Sequence, residues 1–440
     1  MLRGLLGKLL RRERLGLALA VADLHLVRNV RGDLRAEAER LVLGEESVPL
    51  LGELRIVGEV VSLPVLDRVV VRLWQRPDVV VHASSVPSFI AEWSYRSPCR
   101  TQTTHLRHAR CTARIVQFGL WLASEEHDPL KLVDMAERAE AAGLAYVHIS
   151  DHFHPWIDRQ GQSPFVWSVI GGIAARTSRI RVGTGVTCPI LRIHPAIVAH
   201  AAATSAVMLE GRFFLGVGTG ENLNEHVVGR GWPPLEVRRE MLEEAIDLMR
   251  LLFRGAERTF RGRFFTAEDA RLYTLPKEAP PIYVAASGPQ SAELAAGSGD
   301  GLISTSPDRE LVGRYERAGG KGKPKFIELR LCWGPDPKAG RRLVHEIWPT
   351  SGLGGQLAQE LRRPADFEAA VEPLKETDTA SDVPVGRDPE PYLKAIRECV
   401  DAGFDHVALH QVGPDQRGFL EFWQRELRPA VERSRASRAR

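Results

Sequence analysis

Residues 150–156 read "SDHFHPW" and follow directly on the apolar run "AGLAYVHI". An acid, two imidazoles and an indole in so short a stretch could hold a metal ion, move a proton during hydride transfer, or simply close a strand with polar groups. Imidazole titrates near neutrality, so His152 suits removal of a hydroxyl proton. His152 and His154, two apart on a strand, could also reach one ion. Barrel hydrolases that use such a pair take further histidines from their middle strands. No histidine occurs between His226 and His345, so a metal-dependent barrel hydrolase is disfavoured and no metal ligands are assigned. His154, beside Pro155, is expected to be a structural hydrogen bonder.

Other apolar runs end in the same manner. Glu125 and Glu126 follow the run 115–122, and "GTGVTCP", with Gly185, Val186 and Cys188, closes a later one. "GVGTGENLNEH" presents Glu221 and Asn224. Its glycines resemble a dinucleotide fingerprint, but no helix is expected to open immediately after Gly220, and no acid follows on a second strand. "AASGP", containing Ala286, Ser287, Gly288 and Pro289, places backbone amides at a helix start, which is either an anion seat or an ordinary turn. "STSPD" supplies Thr305 and Asp308, and "HQVGPDQ" ends the last run.

These ends need a frame that brings them together. Apolar runs at 115–122, 144–149, 180–186, 212–217, 281–286, 300–304, 325–333 and 405–410 alternate with amphipathic stretches. One stretch opens with Asp128-Pro129, a cap followed by proline at the first helical position, and closes on Gly143. Others are "PAIVAHAAATSAVM" and "PPLEVRREMLEEAIDLMRLLF". Eight strands alternating with helices predict an α/β fold, a (β/α)8 barrel of the TIM type over residues 115–433, with strand ends converging at one mouth. Insertions are expected around "RGRFFTAEDARLYTLP" and from Ser351 to Val385. An open doubly wound sheet is the alternative.

The composition bounds the partners. Hydrophobic content of 44% and charge of 26% are those of a globular chain, and a net charge of +3 is too small to imply nucleic acid or an anionic membrane. Five scattered cysteines without a CxxC pair suggest neither a disulfide framework nor structural zinc, as expected for a cytoplasmic protein. Residues 1–114 read as an N-terminal extension of unknown structure. They carry 18 basic and 12 acidic residues, with Lys8 the only lysine. "RIVGEVVSLPVLDRVVVRLW" has strand-like runs, and "RSPCRTQTTHLRHARC", without useful periodicity, reads as a linker or as disorder. "LLRRERLGLALAVA" is read as an amphipathic helix or a non-native extension in preference to an export signal. No methionine lies between Met1 and Met135, and a start at Val116 would account for an upstream segment without motifs. Residues 434–440 form a basic tail.

With "SDHFHPW", "GQSPFVWSVIG", "GRFFLGVGTGENLNEHVVG", "ARLYTLP", "PPIYVAASGP" and "LHQVGPDQRGF" in hand, residues 115 to about 432 resemble the luciferase-like barrel superfamily. The similarity is to its coenzyme F420-dependent branch, of the glucose-6-phosphate dehydrogenase type. The resemblance implies a deazaflavin in the barrel mouth, exchanging a hydride with a carbinol or carbonyl carbon, in a homodimer. It implies cofactor contacts at Asp151, Cys188 and Asn224, a cis peptide at Gly185-Val186, and a phosphate-proximal turn at 286–289. His152 would then be the base and Glu221 a proton donor to the ring. Trp156 would hold the substrate over the ring, and Glu125 would orient the reacting hydroxyl. One departure bears on the substrate. Asp308 stands where sugar-phosphate members carry a lysine, and Asp382 falls near an arginine position, so a non-phosphorylated substrate is expected at Thr305 and Asp308. An FMN-dependent monooxygenase of the same superfamily is the nearest alternative, and a binding protein without activity a more distant one.

Overall fold

The computed structural model describes residues 52–56, 59–63 and 116–438, and the chain divides into two units, Met1–His108 and Ala109–Arg440. In the first unit, Gly52–Ile56 and Glu59–Leu63 pair antiparallel; the second lies within the stretch expected to hold strands and the first overlaps its start. The other readings made for residues 1–114 lie outside the described residues.

In the second unit the apolar runs become eight parallel strands. They are β1 Gln117–Leu122, β2 Tyr146–Ile149, β3 Arg181–Thr184, β4 Phe213–Val217, β5 Ile282–Ala285, β6 Gly301–Ser304, β7 Lys325–Trp333 and β8 His406–Gln411. Each strand pairs with the next, and β8 returns to β1 with His406 opposite Gln117. The ring is closed. That closure overturns the open-sheet alternative, because a doubly wound sheet leaves two edges unpaired.

Register explains how the barrel fills. Gly119 pairs with Tyr146, Gly183 with Phe214, and Gly301 with Tyr283. A Cβ on these glycines would lie 2.4, 1.9 and 2.7 Å from the paired ring, so each ring occupies the space its glycine leaves. Tyr146, Phe214, Tyr283 and Phe326 thereby make an aromatic interior, while aliphatic side chains pack the helices onto the outer face. His148, from the same run as the opening heptad, is buried in that interior. Burial pushes its pKa down to about 3, so it stays neutral.

The helices follow their local signals. Pro129–Ala141 is capped by Asp128, which accepts from the amides of Leu130 and Lys131, and Gly143 follows in the left-handed region at φ 78°. Pro195–Met208 and Leu235–Leu252 fill the other two expected helical stretches. The first insertion is an antiparallel pair, Arg258–Arg261 with Thr266–Ala270. The second carries helices Leu357–Glu360, Pro364–Val371 and Glu376–Ala380 and ends at the short strand Val385–Gly386, beside β7.

Candidate active site

Two successive glutamates leave β1, and each meets a histidine from a different strand end. Glu125 Oε1 lies 3.4 Å from Nε2 of His152, which follows β2. Its other oxygen accepts from Ser150 Oγ at 2.6 Å. The Nδ1 of His152 lies 3.2 Å from the carbonyl of His154 and 3.2 Å from Nδ2 of Asn224. In the tautomer whose Nδ1–H donates to that carbonyl, Nε2 is the nitrogen able to receive a proton and the Glu125 carboxylate can neutralise the resulting imidazolium; in the other, Nδ1 accepts from Asn224 Nδ2 and Nε2–H faces Glu125. Glu125 is thus a buried partner of His152.

The heptad is held from β4. Asn224 Oδ1 accepts from the amides of Phe153 (2.9 Å) and His154 (3.3 Å), and its Nδ2 approaches Glu221 Oε2 at 3.4 Å. His154 Nδ1 bonds the carbonyl of Leu223 at 2.9 Å, and its ring stacks on that of His226. His152 and His154 therefore serve different partners. Contrary to the sequence reading of "GVGTGE", a short helix, Asn222–Glu225, does open just past Gly220, with Glu221 at its N-cap. Gly220 takes φ 74°, and a Cβ there would meet Cys188 Sγ at 2.4 Å.

Behind the heptad lies an ion cluster that the sequence reading missed. Asp151 accepts from Thr187 Oγ1 at 2.7 Å and from Arg192 at 2.8 Å. Arg192 also binds Glu225, through its backbone amide at 2.7 Å and its guanidinium at 3.5 Å. Two carboxylates share one guanidinium. Burial raises the Glu225 pKa to about 7 despite Arg192, while Arg192 itself is raised by Asp151 against the opposing effect of burial. Cys188 is buried beside this cluster, and burial pushes its thiol well up, so it packs as a neutral group.

The second glutamate enters a separate buried network. Glu126 Oε1 accepts from Trp348 Nε1 at 2.6 Å and lies 3.3 Å from His410 Nε2, while its Oε2 accepts from the Gly413 amide. His410 Nδ1 meets Glu328 Oε1 at 2.6 Å. Arg330 bonds the same oxygen at 3.2 Å and lies over the Trp348 ring, closing a circle. Burial opposes every charge here. Arg330 and His410 nevertheless bring Glu328 down to about 2, and the bonds to Glu126 and Glu328 raise His410. The signal was present in "KFIELRLCW", where Glu328 and Arg330 stand two apart in an apolar strand and so share a face.

Trp156 lies beside His152, ring centroids 5.0 Å apart. Gly185–Val186 is a cis peptide, and a Cβ on Gly185 would sit 2.7 Å from the Trp121 ring. Ala286 is buried after β5, with Ser287, Gly288 and Pro289 leading into the helix Pro289–Ser298. Thr305 and Asp308 are exposed after β6. Asp308 proves to be a helix N-cap, its Oδ1 accepting from Glu310 N at 2.7 Å and Leu311 N at 3.1 Å.

Residues 115–406 match the luciferase-like monooxygenase family. The chain belongs to that family. Two similar relatives, from Tsukamurella paurometabola (35% identical) and Intrasporangium calvum (36%), are both named F420-dependent glucose-6-phosphate dehydrogenase. Each match covers 72% of this chain, with 98% and 99% of the relative. Among solved structures, an F420-dependent secondary alcohol dehydrogenase in complex with an F420-acetone adduct superimposes with a TM-score of 0.67 at 29% identity. That match covers 72% of this chain and 99% of the other. The F420-dependent tetrahydromethanopterin reductase of Methanopyrus kandleri, 19% identical with a TM-score of 0.60, shares the fold over 72% of this chain and 99% of its own. Within this luciferase-like barrel, every strand end singled out from sequence lies at the C-terminal end of its strand, the side on which barrel enzymes carry their chemistry. No helix of the described residues is long and apolar enough to cross a membrane.

Proposed function

We propose that this luciferase-like barrel is an F420-dependent oxidoreductase. It exchanges a hydride between the deazaflavin and the carbinol or carbonyl carbon of a small, non-phosphorylated substrate. The observation that carries the reading is the His152–Glu125 pair, with Nε2 3.4 Å from a buried carboxylate and Nδ1 held by the His154 carbonyl. Names of similar enzymes supply the cofactor class.

The residues present fit such a group. Asn224 fixes the loop that follows β4, and Ser287 and Gly288, exposed and half-buried, lie at a helix start where an anionic group could sit. When bound, F420 supplies the hydride-accepting carbon. The protein's part is proton handling and positioning. His152 Nε2 takes the hydroxyl proton as the carbon is oxidised, and Glu125 balances the imidazolium. Glu221, partly exposed beside Asn224, is positioned to give a proton to the cofactor side. Trp156 walls the substrate space. Asp151, bonded to Thr187 and Arg192, anchors the turn that presents His152.

The substrate follows from charge. Asp308 and Asp382, both exposed, fall where the family resemblance puts a lysine and about where it puts an arginine, and acids there would repel a phosphate dianion. A homodimer is part of the same reading, supported by Phe165, Ile197 and Met208, which are 56%, 59% and 48% exposed on or beside neighbouring helices. Sedimentation of the purified chain tests that part. The main test is F420 absorbance during incubation with a panel of secondary alcohols and sugar phosphates. Bleaching with uncharged alcohols supports the proposal. Turnover with FMN alone, or efficient oxidation of glucose 6-phosphate, refutes it.

A further inference from the structure

The second insertion docks on the two loops that carry the proposed proton-handling groups. Phe367, from the insertion helix Pro364–Val371, is fully buried and meets Trp156 edge-on, with centroids 5.2 Å apart and planes at 82°. Trp156 in turn meets His152 at 5.0 Å. Phe367 forms a small apolar core with Ile157, which follows Trp156, and Leu223, which precedes Asn224. Polar straps flank this core. Glu368 Oε1 accepts from the Asp158 amide at 3.1 Å, and Asn222 Nδ2 donates to the Glu360 carbonyl at 3.0 Å. The buried Arg238 reaches Gln359 and Glu360.

An edge-on contact fixes the plane of the ring it meets, since the positive ring edge seeks the negative face. Trp156 is only partly buried, and it also packs against the aromatic cluster of the barrel interior. We infer that Phe367 is a positioning residue for hydride transfer: acting through Trp156, it sets the wall of the substrate space and its distance from His152. The aromatic contact makes the insertion a determinant of substrate size as well as a cover. This rests on the F420-dependent reading of the site.

The test compares Phe367→Ala, Phe367→Leu and Trp156→Ala with the double variant Phe367→Ala/Trp156→Ala, in the full-length protein with F420. Small misplacement near a reacting centre costs about 10–100-fold, so Phe367→Ala is expected to lower kcat by that factor and to shift preference toward bulkier alcohols. Phe367→Leu should recover most of the rate. In the Trp156→Ala background, removing Phe367 should have little further effect, as expected of coupled residues. Tryptophan fluorescence provides a readout independent of turnover. The change caused by Phe367→Ala should be absent when Trp156 is also replaced. Equal losses in both backgrounds, or unchanged kcat, substrate preference and fluorescence in Phe367→Ala, would overturn the inference. If the wild type fails to turn over F420, the functional reading falls, and the fluorescence comparison alone still decides whether Phe367 positions Trp156.

Discussion

Nδ1 of His410 on β8 lies 2.6 Å from Oε1 of Glu328 on β7, and both side chains are removed from water at the barrel mouth. An ion pair in that setting is sensitive to loss of either partner: without Glu328, Arg330 loses its buried carboxylate and His410 keeps only Glu126. Glu328→Gln is therefore expected to destabilise the fold by about 3–5 kcal/mol, measured by urea denaturation.

The pH dependence of that penalty has a definite sign. Glu328 is depressed to about 2, so its contribution is present above its unfolded value of 4.5 and lost as pH falls toward 2. His410 is raised above 6.5, so its contribution is full below 6.5 and lost as pH rises through its folded value. The difference in stability between wild type and Glu328→Gln should be largest between these two limits. A difference that stays constant from acid to alkaline pH would show that His410 and Glu328 are not coupled.

His152→Ala should lower turnover by about 10²–10⁴-fold, the usual scale for a general acid–base, with F420 binding near the wild-type level. Rapid-mixing absorbance separates the two effects. An unchanged rate removes His152 from the role of base.

Arg192 holds both Asp151 and Glu225 in a buried setting. Arg192→Leu should cost about 3–5 kcal/mol near neutral pH, because buried Asp151 would lose its cation and keep only the Thr187 hydroxyl. Because Glu225 already titrates at about 7, lowering the pH toward 5 lets it protonate and should reduce the penalty. Thermal unfolding at the two pH values checks the direction.

Asp308 combines a cap with a charge, and substitutions can separate the two. Asp308→Asn keeps a capping oxygen and removes the charge, whereas Asp308→Lys removes both, at a cost of about 1 kcal/mol for the lost cap. A like charge about 4 Å from a phosphate costs on the order of 4 kcal/mol at surface-like dielectric. Asp308→Asn should therefore lower the KM for glucose 6-phosphate while leaving that for an uncharged alcohol unchanged. Equal KM changes for both would show that Asp308 acts through the helix alone.

Local chemistry made the barrel legible in the sequence. Apolar runs, the Asp128-Pro129 helix start and polar groups after each run are short-range signals, and all of them correspond to features of the fold. His152, Trp156, Glu221 and Asn224 could be named because they follow strands, and strand ends in a barrel face one mouth. The partners of those residues were a different matter. That Glu125 faces His152 while Glu126 faces His410, that Arg192 lies between Asp151 and Glu225, and that Phe367 meets Trp156 all depend on groups 27 to more than 280 residues apart in the chain. Even Asp308, readable as an N-cap in "SPDREL", was read only for its charge. Strand periodicity specifies which face a side chain takes, but barrel closure and the docking of an insertion decide what stands opposite it. Those choices are made by packing and by the cost of leaving a buried charge unpaired, and only the assembled tertiary structure expresses them.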